Sequence, residues 1–227
     1  MTGDLGNDPV SGVRAMLVTG GGLYETSLHS MLESLPGVSL EISPRDSAAL
    51  SAPVVDRFDL LLFVNRSPTL STECRRNLQA FAEAGRGIIV LNQAMANYPD
   101  WPWFRRLTGG RYLDTAAEGL PSSGFRLQEQ IIAYPVGNHP ITARLGGRAF
   151  HMLDETYCRM DIAADNEVLL RTRNSSADGP LVWVSTYAPA RVVTILPGFG
   201  HGAHLNLAFR FIVEDAIWWS AGRTRPA

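Results

Sequence analysis

Lysine is absent from the 227 residues, so all 20 positive charges are arginine, set against 22 acidic residues. Without lysine the chain cannot form a Schiff base, anchor pyridoxal phosphate or complete a phosphate-binding loop. The net charge of -2 leaves no basic stripe, because the arginines are scattered along the chain. That excludes sequence-independent nucleic-acid binding, and it gives no reason to expect a membrane surface as partner. Cysteine is scarce as well. Cys74 and Cys158 are too few for a disulfide framework and lack the paired spacing of a structural zinc site. No apolar run approaches the roughly 18 residues of a membrane helix. Residues 1–12 are polar and glycine-rich, with Asp4 and Asp8 where a signal peptide carries positive charge. The expectation is a cytoplasmic protein with free thiols. With 45% hydrophobic and 19% charged residues, disordered, collagen-like and coiled-coil chains are excluded. One packed domain over residues 13–222 is expected, with tails at 1–12 and 223–227.

The hydrophobic pattern indicates the fold class. Residues 13–19 (VRAMLVT) form a short apolar run ending in Gly20, Gly21 and Gly22, as a buried parallel strand ends in a loop. Leu28, Met31, Leu32 and Leu35 recur at helical spacing before Pro36-Gly37. Residues 38–42 alternate like a strand, and residues 58–64 (FDLLLFV) read as a central one, giving β-α-β-β so far. Ser71 or Thr72 caps a helix that Gly85 stops, and residues 87–91 (GIIVL) form the next buried strand. Further along, residues 100–107 predict a short aromatic helix and 125–136 an extended stretch. Residues 168–172, 181–186 and 191–196 predict strands, and 205–221 a long final helix. Strands alternating with helices predict a doubly wound α/β sheet.

In such sheets ligands bind at the carboxyl ends of the strands. Those positions carry Gly20 to Gly22, Tyr24, Glu25 and Thr26 after the first strand, and Asn65, Arg66 and Ser67 after the third. Asn92 and Gln93 follow the fourth, and Gly198, Gly200, His201 and His204 follow the last. Polar loops are common in any protein, but four at one edge point to a site. The triple glycine matches neither G-x-G-x-x-G with a later acidic partner nor a phosphate loop, so a tight turn explains it better than a nucleotide. No cofactor is expected. The turn after the fourth strand is where a nucleophile elbow would sit, yet Asn92-Gln93-Ala94 offers no nucleophile. Both cysteines read as small packed thiols.

Three further segments hold unusual residues: His139 beside Pro140, Asp154-Glu155-Thr156-Tyr157 with two carboxylates beside a phenol, and His201 to His204. A histidine and a glutamate converging from separate loops could serve as general base and acid or bind a metal. A structural cap explains His139 equally well. Tyr98, Trp101, Trp103, Phe104 and Tyr112 cluster around two prolines, which suits packing for most of them and a pocket wall for one or two.

Five segments in order carry a family resemblance: residues 98–104 (YPDWPWF), 139–142 (HPIT), 154–157 (DETY), 180–183 (PLVW), and the strand, Gly-His and Phe-Arg helix across 192–211. Over residues 13–222 the chain resembles the trehalose-utilisation, or ThuA-like, family. The resemblance implies a flavodoxin-like, mostly parallel sheet with helices on both faces, as in class I glutamine amidotransferases, without the catalytic cysteine or glutaminase function. It also implies a role in disaccharide or keto-sugar metabolism. Members often carry a histidine where this chain has Asn92, and a His-rich first loop where it has Tyr24 and Glu25. The resemblance carries over His139, Glu155, Tyr157 and His201.

The combined expectation is an acid–base centre of Glu155 and His201, with Gly22, Tyr24, Glu25, Asn92, His139 and Tyr157 holding a small carbohydrate. No metal is assigned to the site. A homodimer is the base-rate expectation for assembly. The alternative is a non-catalytic sugar-binding or assembly protein on the same scaffold.

Overall fold

The computed structural model describes residues 12–20 and 25–226. β1 (Val13–Val18), β2 (Val38–Ser43), β3 (Leu60–Phe63) and β4 (Gly87–Leu91) run parallel in the order β2-β1-β3-β4, and β11 (Arg191–Ile195) adds parallel to β4. Every residue of β3 and β4 is buried, as their unbroken apolar sequences require of strands covered on both faces. Beyond β11 the sheet continues antiparallel through β10 (Pro180–Val184), β9 (Glu167–Thr172), β6 (Gly124–Pro135) and β7 (Phe150–Cys158). A two-stranded ribbon, β5 (Gly110–Arg111) with β8 (Asp161–Ile162), stands apart.

Side chains alternate between two cores, as the period of a strand dictates. Leu17, Leu62, Ile89 and Val193 face α1 (Glu25–Glu33) and α6 (Leu207–Ser220). Met16, Leu61, Ile88 and Val192 pack with Leu78 and Phe81 of α3 (Thr72–Glu83) and Phe104 of α4 (Pro102–Thr108). Helices on both faces of the sheet around its parallel half match the expected α/β class. Ser71 is the cap of α3, its side chain accepting from Cys74 N at 3.2 Å. A short helix, α2 (Asp46–Ala49), lies between β2 and β3, where the sequence pattern showed none. The final helix expected over 205–221 is α6, and a short helix that the sequence pattern did not show precedes it. α5 (His201–Leu205) ends at Asn206, whose extended backbone breaks the run and whose side chain accepts from Ala208 N and Phe209 N to start α6. Among the described residues no helix is long and apolar enough to cross a membrane.

One departure from a simple sheet positions the site. β6 pairs with β9 only at Ala133, Tyr134 and Pro135, whereas it pairs with β7 from Gly124 to Ala133. Most of the β6–β7 hairpin therefore overhangs the sheet. A register shift between Arg126 and Glu129, with Gln128 at φ 55°, adds the twist expected of a bulge. The overhanging end arches across the carboxyl ends of β4 and β11, bringing residues 154–157 against Asn92 and the 197–200 turn.

Candidate functional site

Asn92 is the first residue after β4, and its φ of 53° places it in the left-handed region that asparagine tolerates better than most side chains. Its Nδ2 donates to the Leu196 carbonyl at 2.9 Å and to Glu155 Oε2 at 3.5 Å, while Oδ1 accepts from Gln93 N at 2.7 Å. The backbone has the sharp turn of an elbow, and the side chain holds the neighbouring strand end in place of a nucleophile.

Glu155 and Tyr157 sit two residues apart on β7 and so share a face. The Tyr157 hydroxyl donates to Glu155 Oε2 at 2.5 Å. Only 6% of Glu155 is exposed, and this burial raises its carboxyl above the ordinary value, against the opposing pull of the Tyr157 and Asn92 hydrogen bonds. Burial, reinforced by the Glu155 charge, holds the Tyr157 hydroxyl well above the ordinary phenol range, so it stays a donor. Asp154 faces the other side of the strand. Its carboxylate accepts from Gly198 N at 2.5 Å and from Gly200 N at 3.1 Å, pinning the turn that carries Phe199. Gly198 has φ 119°, and a Cβ there would lie 2.8 Å from Leu91 Cδ2, so glycine is required. Burial raises Asp154 too, countered by backbone N–H donors from residues 198–200 and Glu155.

Asn92, Glu155 and Tyr157 face a cavity of about 300 Å³. Asn92, Gln93, Glu155 and Arg66 supply its polar wall, and Tyr112, Phe125, Leu127 and Phe199 its apolar one. Tyr112 meets Tyr157 edge-on at 6.0 Å. Arg66, at the rim, is ion-paired with Asp114. Tyr98, Trp101, Trp103 and Phe104 instead pack on one another, with Tyr98 and Phe104 centroids 4.9 Å apart. The Tyr98 hydroxyl is committed to Asp46 at 2.7 Å.

The cavity thus brings Asn92, Glu155 and Tyr157 together, and two of the histidines lie elsewhere. His139 caps the 3-10 helix Pro140–Leu145, its Nδ1 accepting from Ile141 N at 3.2 Å and its ring meeting Trp219 at 5.0 Å. His201 opens α5, is exposed, and lines a different cavity with His204, so it does not share a chamber with Glu155. Gly22 and Tyr24 lie outside the described residues, and Glu25 begins α1 with its side chain outside them. Among the described residues no three of His, Cys, Asp and Glu converge to hold a metal ion.

Sequence reasoning noticed Asp154 only as a neighbour of Glu155; its bonds to Gly198 and Gly200 span 44 and 46 residues. Phe125 and Leu127 left a fainter signal. They are apolar residues at alternate positions of one strand, each 54% exposed.

No curated protein sequence matches the chain. Among solved structures, a ThuA-like protein from Parabacteroides merdae superposes with a TM-score of 0.78 at 18% identity, covering 95% of this chain and 92% of that one. Another from Bacteroides uniformis gives 0.71 at 19%, covering 96% and 95%. A glutamine amidotransferase from Thermotoga maritima gives 0.53 at 7% identity, covering 92% and 98%, which agrees with the amidotransferase-like fold. The family model for ThuA, trehalose utilisation, matches residues 25–220, and the chain belongs to that family.

Proposed function

We propose that the cavity beneath the β6–β7 hairpin takes a sugar, and that Glu155 moves a proton on it. The supporting observation is the buried Glu155 carboxyl, raised by its surroundings and held by Tyr157 and Asn92 on the wall of a cavity of small-ligand size. A carboxyl raised toward the working pH can both give and take a proton. Tyr157 positions it, and Asn92, Gln93 and Arg66 offer hydroxyl-binding groups beside the apolar faces of Tyr112 and Phe125. Membership of a trehalose-utilisation family supports the carbohydrate class.

Among the described residues Glu155 is the only carboxyl on the cavity wall. Hydrolysis of an unactivated glycoside ordinarily uses two carboxyls flanking the bond. A keto-sugar needs less, because one base can remove the proton beside its carbonyl. We therefore favour a keto-sugar over a plain disaccharide. The test follows disaccharides and their 3-keto forms by NMR with the wild type and with Glu155→Gln. Turnover of a keto form that falls at least 100-fold in Glu155→Gln supports the proposal, and turnover equal in both proteins overturns it. Asn92 in place of an elbow nucleophile favours a second reading, a non-catalytic sugar-binding protein. Calorimetric binding of a sugar with no turnover of any form would decide for that one.

A further inference from the structure

A second cavity, of about 620 Å³, lies between α1 and α5 on the far side of the 197–200 turn, and plays no part in the proposal above. Ser27 and His204 both line it, with Ser27 Oγ 2.6 Å from His204 Nδ1. His204 Nε2 lies 2.9 Å from the Gly198 carbonyl. A carbonyl can only accept, so Nε2 carries the proton and Nδ1 is left to accept from the Ser27 hydroxyl. The ring is thereby fixed in one tautomer with its basic nitrogen on the serine. This is the relation between base and nucleophile that acyl-transfer sites use, with a backbone carbonyl orienting the imidazole instead of a carboxylate.

The far end of the cavity carries a positive charge. Ser34 lies seven residues along α1 from Ser27, about 10 Å at 1.5 Å per residue. Arg210 Nη2 donates to Ser34 Oγ at 2.9 Å, and among the described residues no carboxylate pairs with Arg210.

We propose that Ser27 and His204 form a second catalytic site that hydrolyses an ester whose acyl part ends in an anionic group, with Arg210 receiving that group. The Ser27 oxygen adds to the ester carbonyl carbon while its proton passes to His204 Nδ1. The adduct collapses by breaking the bond to the alcohol oxygen, and the departing alkoxide takes the proton from Nδ1. Water then attacks the acyl-Ser27 ester, losing a proton to Nδ1, and the acyl group leaves as a carboxylic acid while Ser27 regains its proton. Burial holds the His204 imidazole below its ordinary range and hence neutral, as a general base must be.

The experiment treats the intact protein with a fluorophosphonate probe, maps the modified residue by mass spectrometry, and measures hydrolysis of p-nitrophenyl acetate and p-nitrophenyl hemisuccinate. The expected result is an adduct on Ser27, hydrolysis at least tenfold slower in Ser27→Ala, and a preference for the hemisuccinate that Arg210→Gln removes. Adduct mapping on the wild type needs no variant to fold. A folded wild type with no adduct on Ser27, or a Ser27→Ala protein that hydrolyses both esters at the wild-type rate, overturns the site. An equal rate on both esters in the wild type overturns the anionic substrate class. None of these readouts involves a sugar, so failure here is distinct from failure of the carbohydrate proposal.

Discussion

The Tyr157 hydroxyl donates to Oε2 of Glu155 at 2.5 Å, from two positions along the same edge strand. This bond lowers the Glu155 carboxyl against the upward push of burial. Tyr157→Phe removes it and moves the Glu155 protonation midpoint further up. If Glu155 acts as a base, the acid limb of the pH–rate profile moves to higher pH by the same amount, which a profile of wild type and variant will read.

Charging Glu155 also sets a pH dependence of stability. Its folded midpoint lies above the ordinary glutamate value of 4.5, so the folded state binds more protons than the unfolded one across that window. The contribution is fully present below 4.5 and is lost as pH rises through the folded value. Glu155→Gln has no such loss, so its stability relative to wild type should rise with pH above 4.5. Asp161 has the opposite sign. Arg105 hydrogen bonds at 2.6 Å, with Arg111 at 3.0 Å, hold it below 3.8, and its contribution is present above 3.8 and lost as pH falls. Asp161→Asn should therefore destabilise more at pH 7 than at pH 3. Urea denaturation at stepped pH measures both.

Asp154 ties the edge strand to the turn carrying Phe199. Asp154→Asn keeps the shape, but one of its two accepting oxygens becomes a donor facing Gly198 N or Gly200 N. A loss of about 1–3 kcal/mol is expected for an unsatisfied buried group, together with weaker sugar binding through displacement of Phe199. Denaturant titration and calorimetry check the two parts.

His139 contributes as a cap. His139→Ala should cost about 1 kcal/mol in stability, as for loss of a helix N-cap, and leave sugar affinity unchanged. A drop in affinity at constant stability would move His139 into the binding site.

The parallel half of the fold was legible because its strands are unbroken apolar runs such as GIIVL, punctuated by Ser71 and Gly85 at helix ends. The strand-end rule then reached Asn92 directly. β7 escaped because its buried residues include Asp154, Glu155 and Thr156, whose polarity hides the strand pattern. Their burial depends on an arching hairpin whose partners, Asn92 and Gly198, lie 63 and 44 residues away in sequence. The short α5 ahead of the last helix is too brief to set up a hydrophobic period, and its boundary with α6 turns on one side chain, Asn206. The separation of His201 from Glu155 likewise depends on which side of the 197–200 turn each one faces.

The most direct measurement is carboxyl-carbon NMR of Glu155, recorded across pH with and without a bound keto-sugar. The expected result is a midpoint above 4.5 in the free protein and a resonance that shifts when the sugar binds. A midpoint at or below 4.5, or a resonance that stays fixed while the sugar binds, would contradict Glu155 as the acid–base group of this cavity.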